Sequence, residues 1–125
     1  MDLHVDVAWI LQVAQIAGAD DPAPDDLGVP VAACARHQAE LLETPVYGSA
    51  YLRAAALVHT LGRCRWLERS HLTVAAASGV MYLEAGGITV KPTRDDVVAL
   101  RDLLLDDRCT AARIATLLRS WATIS

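Results

Sequence analysis

The chain has 125 residues, of which 54% are hydrophobic, and it carries a formal net charge of −4. This length fits one compact domain spanning 1–125 and excludes two, and the negative charge argues against duplex nucleic acid as a partner. The longest nearly apolar stretch, Leu72 to Leu83, is too short for a bilayer and the N-terminus lacks a secretion signal, so we expect a cytoplasmic protein without membrane contact.

Two helices are predicted in the first third of the chain. Apolar residues at helical spacing indicate the first from Val5 to about Ile16, and a proline-rich loop from Gly18 to Pro30 ends it. The second is expected from Val31 to Leu42, because the residue before Pro45 disfavours helical geometry. The side chains expected to face the core are Val5, Trp9, Val13 and Ile16 in the first helix and Val31, Ala35 and Leu42 in the second.

The middle of the chain predicts two further helices that are largely buried. One spans Ala50 to Arg63 and carries an apolar stripe. The other spans Leu72 to Glu84, is apolar nearly all round, and stops at Gly86-Gly87. A soluble protein tolerates such a helix only where other helices surround it. The stripe of the earlier helix consists of Ala54, Leu57, Val58 and Leu61.

The last third predicts a short extended piece, Ile88–Val90, and two helices. Thr93, with an aspartate three residues later, resembles a capping box for a helix through about Leu105, and Thr110 can cap the last helix. We therefore expect an all-α bundle of about six helices around a central buried helix at about 72–85, with no convincing sheet. The last helix places Ile114, Leu117, Leu118 and Trp121 on one side.

The cysteines and histidines do not indicate a metal site. Cys34, Cys64 and Cys109 are odd in number and far apart, which predicts three buried thiols rather than disulfides or a zinc site. The four histidines lack metal-ligand spacing. His59 lies on an apolar stripe and is expected to be a hydrogen-bonded core histidine.

Four segments resemble, in order and spacing, landmarks of the Fic/Doc family. The resemblance covers almost the whole chain and is closest to the short Doc-like branch. That branch is all-helical and typically supplies the toxin of a bacterial toxin–antitoxin pair, so the resemblance implies a Fic/Doc-like helical bundle. The four segments are Asp26-Leu27-Gly28, Ala35-Arg36-His37-Gln38-Ala39, Ala54-Ala55-Ala56-Leu57-Val58-His59-Thr60-Leu61 and Tyr82-Leu83-Glu84-Ala85-Gly86-Gly87.

In that family the loop before the central helix has the pattern His-Pro-Phe-x-Asp-Gly-Asn, in which the histidine is the general base and the acid holds magnesium. Here Arg65 stands at the base position and Arg69 at the acid position. A guanidinium cannot accept a proton, and its charge is wrong for holding a metal ion. The resemblance therefore implies that the usual Fic AMP-transferase or Doc kinase chemistry is lost, that magnesium and ATP are not supported as cofactors, and that no residue is a metal ligand.

The other family positions of this loop have changed as well. Trp66 stands at the proline, Ser70 at the glycine, His71 at the asparagine, and Thr73 at a phosphate-gripping arginine. Serine directly before a helix is expected to act as its N-cap. Trp66 is either a lid or stacking platform for a base, or a residue that packs against the next helix.

The replacement residues suggest a metal-free anion site at the start of a helix, where backbone amides attract negative charge. The competing interpretation is that the arginines form a solvated face or pair with Glu68 and acids elsewhere, such as those of the 20–26 loop. The candidate catalytic residues are Arg65, Glu68 and His71, and the candidate ligand-binding residues are Arg63, Trp66, Arg69, Ser70 and Thr73.

The sequence and the resemblance leave three alternative hypotheses for the function. The first is a Doc-like toxin component that has lost phosphoryl or nucleotidyl transfer and acts by binding a small antitoxin protein or through strongly altered activity. The second is a repurposed, metal-independent enzyme that binds an anionic small molecule, a nucleotide or another phosphate-bearing compound, through Arg65 and Arg69. The third is a structural or regulatory pseudoenzyme.

Overall fold

Six helices and one short hairpin form in residues 3–123, the part of the chain that the computed structural model describes. The predicted all-α class is confirmed. The hairpin joins α2 to α3 and consists of two antiparallel two-residue strands. The elements are α1 (Val7–Ala17), α2 (Gly28–His37), β1 (Glu40–Leu41), β2 (Thr44–Pro45), α3 (Ala50–Arg63), α4 (His71–Ala85), α5 (Arg94–Leu105) and α6 (Ala111–Ser120).

Local capping explains where four of these helices begin. The side chains of Asp6 and Ser49 accept hydrogen bonds from the backbone of the first turn of α1 and α3. Thr93 and Asp96 form the predicted capping box of α5, and Thr110 caps α6 as predicted. The two caps that the sequence predicted, at Thr93 and Thr110, are therefore confirmed.

The helices α3 and α4 share the centre of the bundle. The helix α3 packs against α2, α4, α5 and α6, while α4 packs against α1, α3 and α5. The predicted stripe of α3 is fully buried. Gly79 of α4 lets the two helices approach closely, since a Cβ there would lie 2.5 Å from Cγ2 of Val58. The predicted buried helix at about 72–85 is confirmed as α4, which shares the core with α3.

The predicted apolar faces of the first two helices are partly wrong. Ile16 is 72% exposed, because the buried face of α1 runs instead through Ile10, Val13 and Ala14. The second helix starts and ends earlier than predicted. Pro30 falls in its first turn, where a missing N–H costs no helical hydrogen bond. With the helix shifted, Val31, Ala35 and Leu42 are exposed, and the buried residues are Pro30, Ala33, Cys34 and His37.

The predicted extended piece pairs with the end of the chain that follows α6. Val90 forms an isolated antiparallel bridge with Ala122, and the amide of Thr123 donates to the carbonyl of Thr89 at 3.0 Å. This pairing holds the segment before α5 against the segment after α6. Within residues 3–123, no helix has the length and apolar character needed to cross a membrane.

Candidate functional site

The loop between α3 and α4 pairs with the loop between α1 and α2. The backbone of Asp25 donates to the carbonyl of Trp66 at 2.7 Å, and Glu68 donates to Ala23 at 3.0 Å. Pro24 and Leu67 form an isolated antiparallel bridge between these contacts. We call residues 19–26 together with 64–70 the loop pair. The candidate loop is therefore fixed by main-chain bonds across more than 40 residues of sequence.

Trp66 anchors the loop pair from inside the protein. Its side chain is fully buried, and the indole Nε1 donates to the carbonyl of Leu61 at 3.1 Å. The next residue, Leu67, is also fully buried. An indole in this position packs against the core and presents no face to a ligand, so the packing interpretation describes it and the lid or stacking role does not.

Arg69 and Glu68 use their side chains to hold the loop pair together. The carboxylate of Glu68 accepts from the backbone amide of Ala23 and from Arg69 Nη1, both at 2.9 Å. The same Nη1 donates to the carbonyls of Asp20 and Ala19 at 3.2 and 3.4 Å. The loop that contains the aspartates of the 20–26 segment therefore contacts Arg69 through backbone carbonyls. These contacts match the interpretation in which the arginines pair locally.

The three candidate arginines do not converge on one point. Arg63 Nη1 donates to the carbonyls of Leu104 and Asp106 at 2.7 and 3.0 Å, at the C-terminal end of α5 where a cation is favourable. Arg65 is exposed and makes one long bond to the carbonyl of Glu68. Arg63 therefore serves helix packing rather than a shared anion site.

His71, the first residue of α4, is half-buried beside Arg65. Burial, and secondarily the nearby Arg65 guanidinium, lower its pKa below the ordinary value. The imidazole is thus held in its neutral form at neutral pH. Of the three candidate catalytic residues, Arg65 lies near both of the others, while Glu68 directs its carboxylate towards Ala23 and Arg69.

Ser70 does not cap α4 with its side chain, which corrects the sequence prediction. The residue occupies the N-cap position but has a left-handed backbone with φ of +68°, and its Oγ accepts from the amide of Ala19 at 3.2 Å. Its hydroxyl thus contributes to the loop pair instead of the helix. Thr73 is exposed and lines an apolar groove between α4 and α5, away from the loop pair's polar contacts.

His59 is the hydrogen-bonded histidine that was predicted, although it is half-buried. Its Nδ1 accepts from Arg36 Nη1 at 2.7 Å, and its Nε2 donates to the carbonyl of Cys109 at 3.3 Å. Burial and the adjacent Arg36 lower its pKa. Within the described residues, no cluster of histidine, cysteine, aspartate or glutamate side chains could hold a metal ion.

The three cysteines differ in exposure, and the prediction that all are buried is wrong for one. Cys64 is exposed at the end of α3, whereas Cys34 and Cys109 are buried. Burial raises the pKa of both buried thiols, which reduces their reactive thiolate. We therefore expect one fast-reacting thiol with Ellman's reagent and loss of that phase in Cys64→Ser. Three equal rates in the native protein would contradict this arrangement.

The hairpin exposes Leu41 and Leu42, which were predicted to belong to the second helix, and Val46 follows directly after the hairpin. Leu41 is 70%, Leu42 92% and Val46 52% exposed. Leu42 and Glu43 both have positive φ, which is the geometry of a two-residue hairpin turn. The sequence has neither glycine nor asparagine at this turn, the usual signals for such a turn, so nothing local predicted it.

No family model, curated protein or solved structure matches the chain. The function is accordingly inferred from the geometry of the loop pair and of the exposed hairpin.

Proposed function

We propose that this protein is a binding component of a toxin–antitoxin type module, Doc-like in its arrangement, that has lost phosphoryl or nucleotidyl transfer. The observation that carries the proposal is the position of Arg69. By the resemblance to the Fic/Doc loop pattern it takes the place of the metal-binding acid, and its guanidinium donates to Glu68 and to the carbonyls of Ala19 and Asp20. A residue used in this way holds two loops together, which supports a role other than phosphoryl or nucleotidyl transfer.

The hairpin supplies the surface that such a partner would cover. Leu41 and Leu42 of the hairpin and Val46 directly after β2 are exposed close together, whereas exposed apolar side chains on a monomer are usually scattered. The two strands pair only with each other among the described elements, so each has a free edge. A partner can therefore add a strand to the hairpin and bury its leucines.

Co-expression with the product of the neighbouring gene tests this proposal. We expect a stable complex in size-exclusion chromatography with light scattering. Replacing both Leu41 and Leu42 by serine should weaken it at least tenfold, because each buried leucine contributes about 1.5–3 kcal/mol. Ile16→Ser is the matched control, since Ile16 is about as exposed as Leu41 but lies on α1. A protein that remains monomeric, or a complex that tolerates the leucine changes, would contradict the proposal.

A further inference from the structure

The segment before α1 is held against the bundle by two buried side chains. The amide of Val5 donates to Nε2 of His37 at 3.2 Å, and the hydroxyl of Tyr82 donates to the carbonyl of Leu3. His37 and Tyr82 belong to α2 and α4 and are both almost completely buried. We call residues 3–6 the N-terminal strap. Its backbone is fixed by partners from two different helices.

The imidazole of His37 has one proton to donate, and the structure shows where that proton lies. Nδ1 is 2.7 Å from the carbonyl of Cys34 and therefore carries the hydrogen, since a carbonyl can only accept. Nε2 must then be the acceptor that receives the Val5 amide. Both nitrogens are satisfied only while the ring is neutral. A second proton on Nε2 would face the Val5 N–H, and this strap contact would be lost.

The groups around His37 also disfavour its charged form. His4 of the strap packs edge-on against the ring at 5.6 Å, and Tyr82 does so at 5.9 Å. Burial lowers the pKa of His37 below its ordinary value; the hydrogen bonds to the carbonyls of Cys34 and Ala33 oppose this in part, and the charges of His4 and Arg53 add a smaller lowering. The neighbouring acid is Asp6, whose carboxylate accepts from the amide of Trp9 and caps α1.

The strap lines one side of a cavity of about 730 Å³. The cavity is also lined by Val31 and Cys34 of α2, by Gln38 directly after α2, and by Trp9 of α1. Cys34 is buried in the closed arrangement. Release of the strap would widen this cavity and expose the Cys34 thiol.

We propose that His37 makes the N-terminal strap an acid-sensitive latch, which opens the α1–α2 cavity when the ring is protonated. Above the ordinary histidine pKa of about 6.5, the His37 ring is neutral in both the closed and the open form. The closed form then has its full stability relative to the open form. Below that value the open form binds the proton more readily, so opening is favoured by up to about tenfold per pH unit until the closed form also protonates. This inference is independent of the hairpin surface and of the proposed partner.

Thiol labelling of the intact protein between pH 7.5 and 5.0 tests the latch. The probe is 4,4′-dithiodipyridine, which reacts with thiols in acid, and mass spectrometry of peptides separates Cys34 from the exposed Cys64. We expect the ratio of Cys34 to Cys64 labelling to rise several-fold as the pH falls, with a parallel loss of exchange protection at the Val5 amide. An unchanged ratio with a protected Val5 amide at pH 5.0 would overturn the proposal.

Two substitutions assign the effect to His37. His37→Gln keeps an acceptor that cannot gain a proton, so the ratio should stay low at every pH. His37→Leu removes the acceptor, so the ratio should be high and independent of pH. His59→Gln and His71→Gln are controls that should retain the wild-type pH response, because neither residue contacts the strap. A response that survives both His37 changes would rule out the latch.

Discussion

Trp66→Ala should reduce the free energy of unfolding by about 3–5 kcal/mol, the usual cost of removing a buried aromatic side chain. The indole is fully buried and its Nε1 donates to the carbonyl of Leu61. Both its packing volume and its hydrogen bond are lost in the variant. Since domains of this kind have a total stability of only about 5–15 kcal/mol, the change is a large fraction of the whole. Urea denaturation followed by circular dichroism measures it.

Arg65→Ala provides the comparison for Trp66→Ala. Arg65 is the preceding residue, is exposed, and makes one long bond to the carbonyl of Glu68. Its removal should change stability by no more than about 0.5 kcal/mol. If the two variants had similar stability, the loop would not be anchored by its tryptophan, and a ligand-facing role for that residue would have to be reconsidered.

Gly79→Ala should destabilise the protein although alanine is the better helix former. Helix propensity alone predicts a gain of up to about 1 kcal/mol. The new Cβ would lie 2.5 Å from Cγ2 of Val58, a β-branched side chain with little rotational freedom. Overpacking of this kind costs about 1–3 kcal/mol, so the net effect is unfavourable. Thermal and urea unfolding both report the sign.

A double-mutant cycle identifies the cause of the Gly79 effect. Val58→Ala creates space for the added methyl group, so the combination with Gly79→Ala should be more stable than the sum of the single changes by about 0.5–3 kcal/mol. Gly48→Ala is the matched control, because a Cβ there meets no atom within 4 Å. If the effects of the two changes were additive, the contact between Gly79 and Val58 would not be what limits the approach of α3 and α4.

The helices with strong local signals could be predicted from sequence, and those without them could not. The helix α3 has the predicted bounds because its apolar stripe has helical spacing and Ser49 precedes it. The second helix was misplaced because Pro30 resembles a helix breaker, although a proline in the first turn is compatible with a helix. The hairpin depends on two residues with positive φ that carry no sequence signature.

The sequence placed the candidate residues in one loop, but it did not predict the contacts that they make. Proximity along the chain grouped Arg63 with Arg65 and Arg69, yet Arg63 donates to the end of α5, about 40 residues away. Likewise, the hydroxyl of Ser70 accepts from an amide 51 residues earlier instead of capping its own helix. Such contacts depend on the tertiary packing of separate elements. Spacing within one loop cannot reveal them.

The loop pair also has a consequence for the order of folding. Its contacts join residues about 40 to 51 positions apart, and the entropy of closing such a long segment is lost before its hydrogen bonds form. The helices α3 and α4, by contrast, are joined by a seven-residue loop and can meet early. The loop pair should therefore be absent from the folding transition state, so that changes within it mainly accelerate unfolding and leave the rate of folding nearly constant.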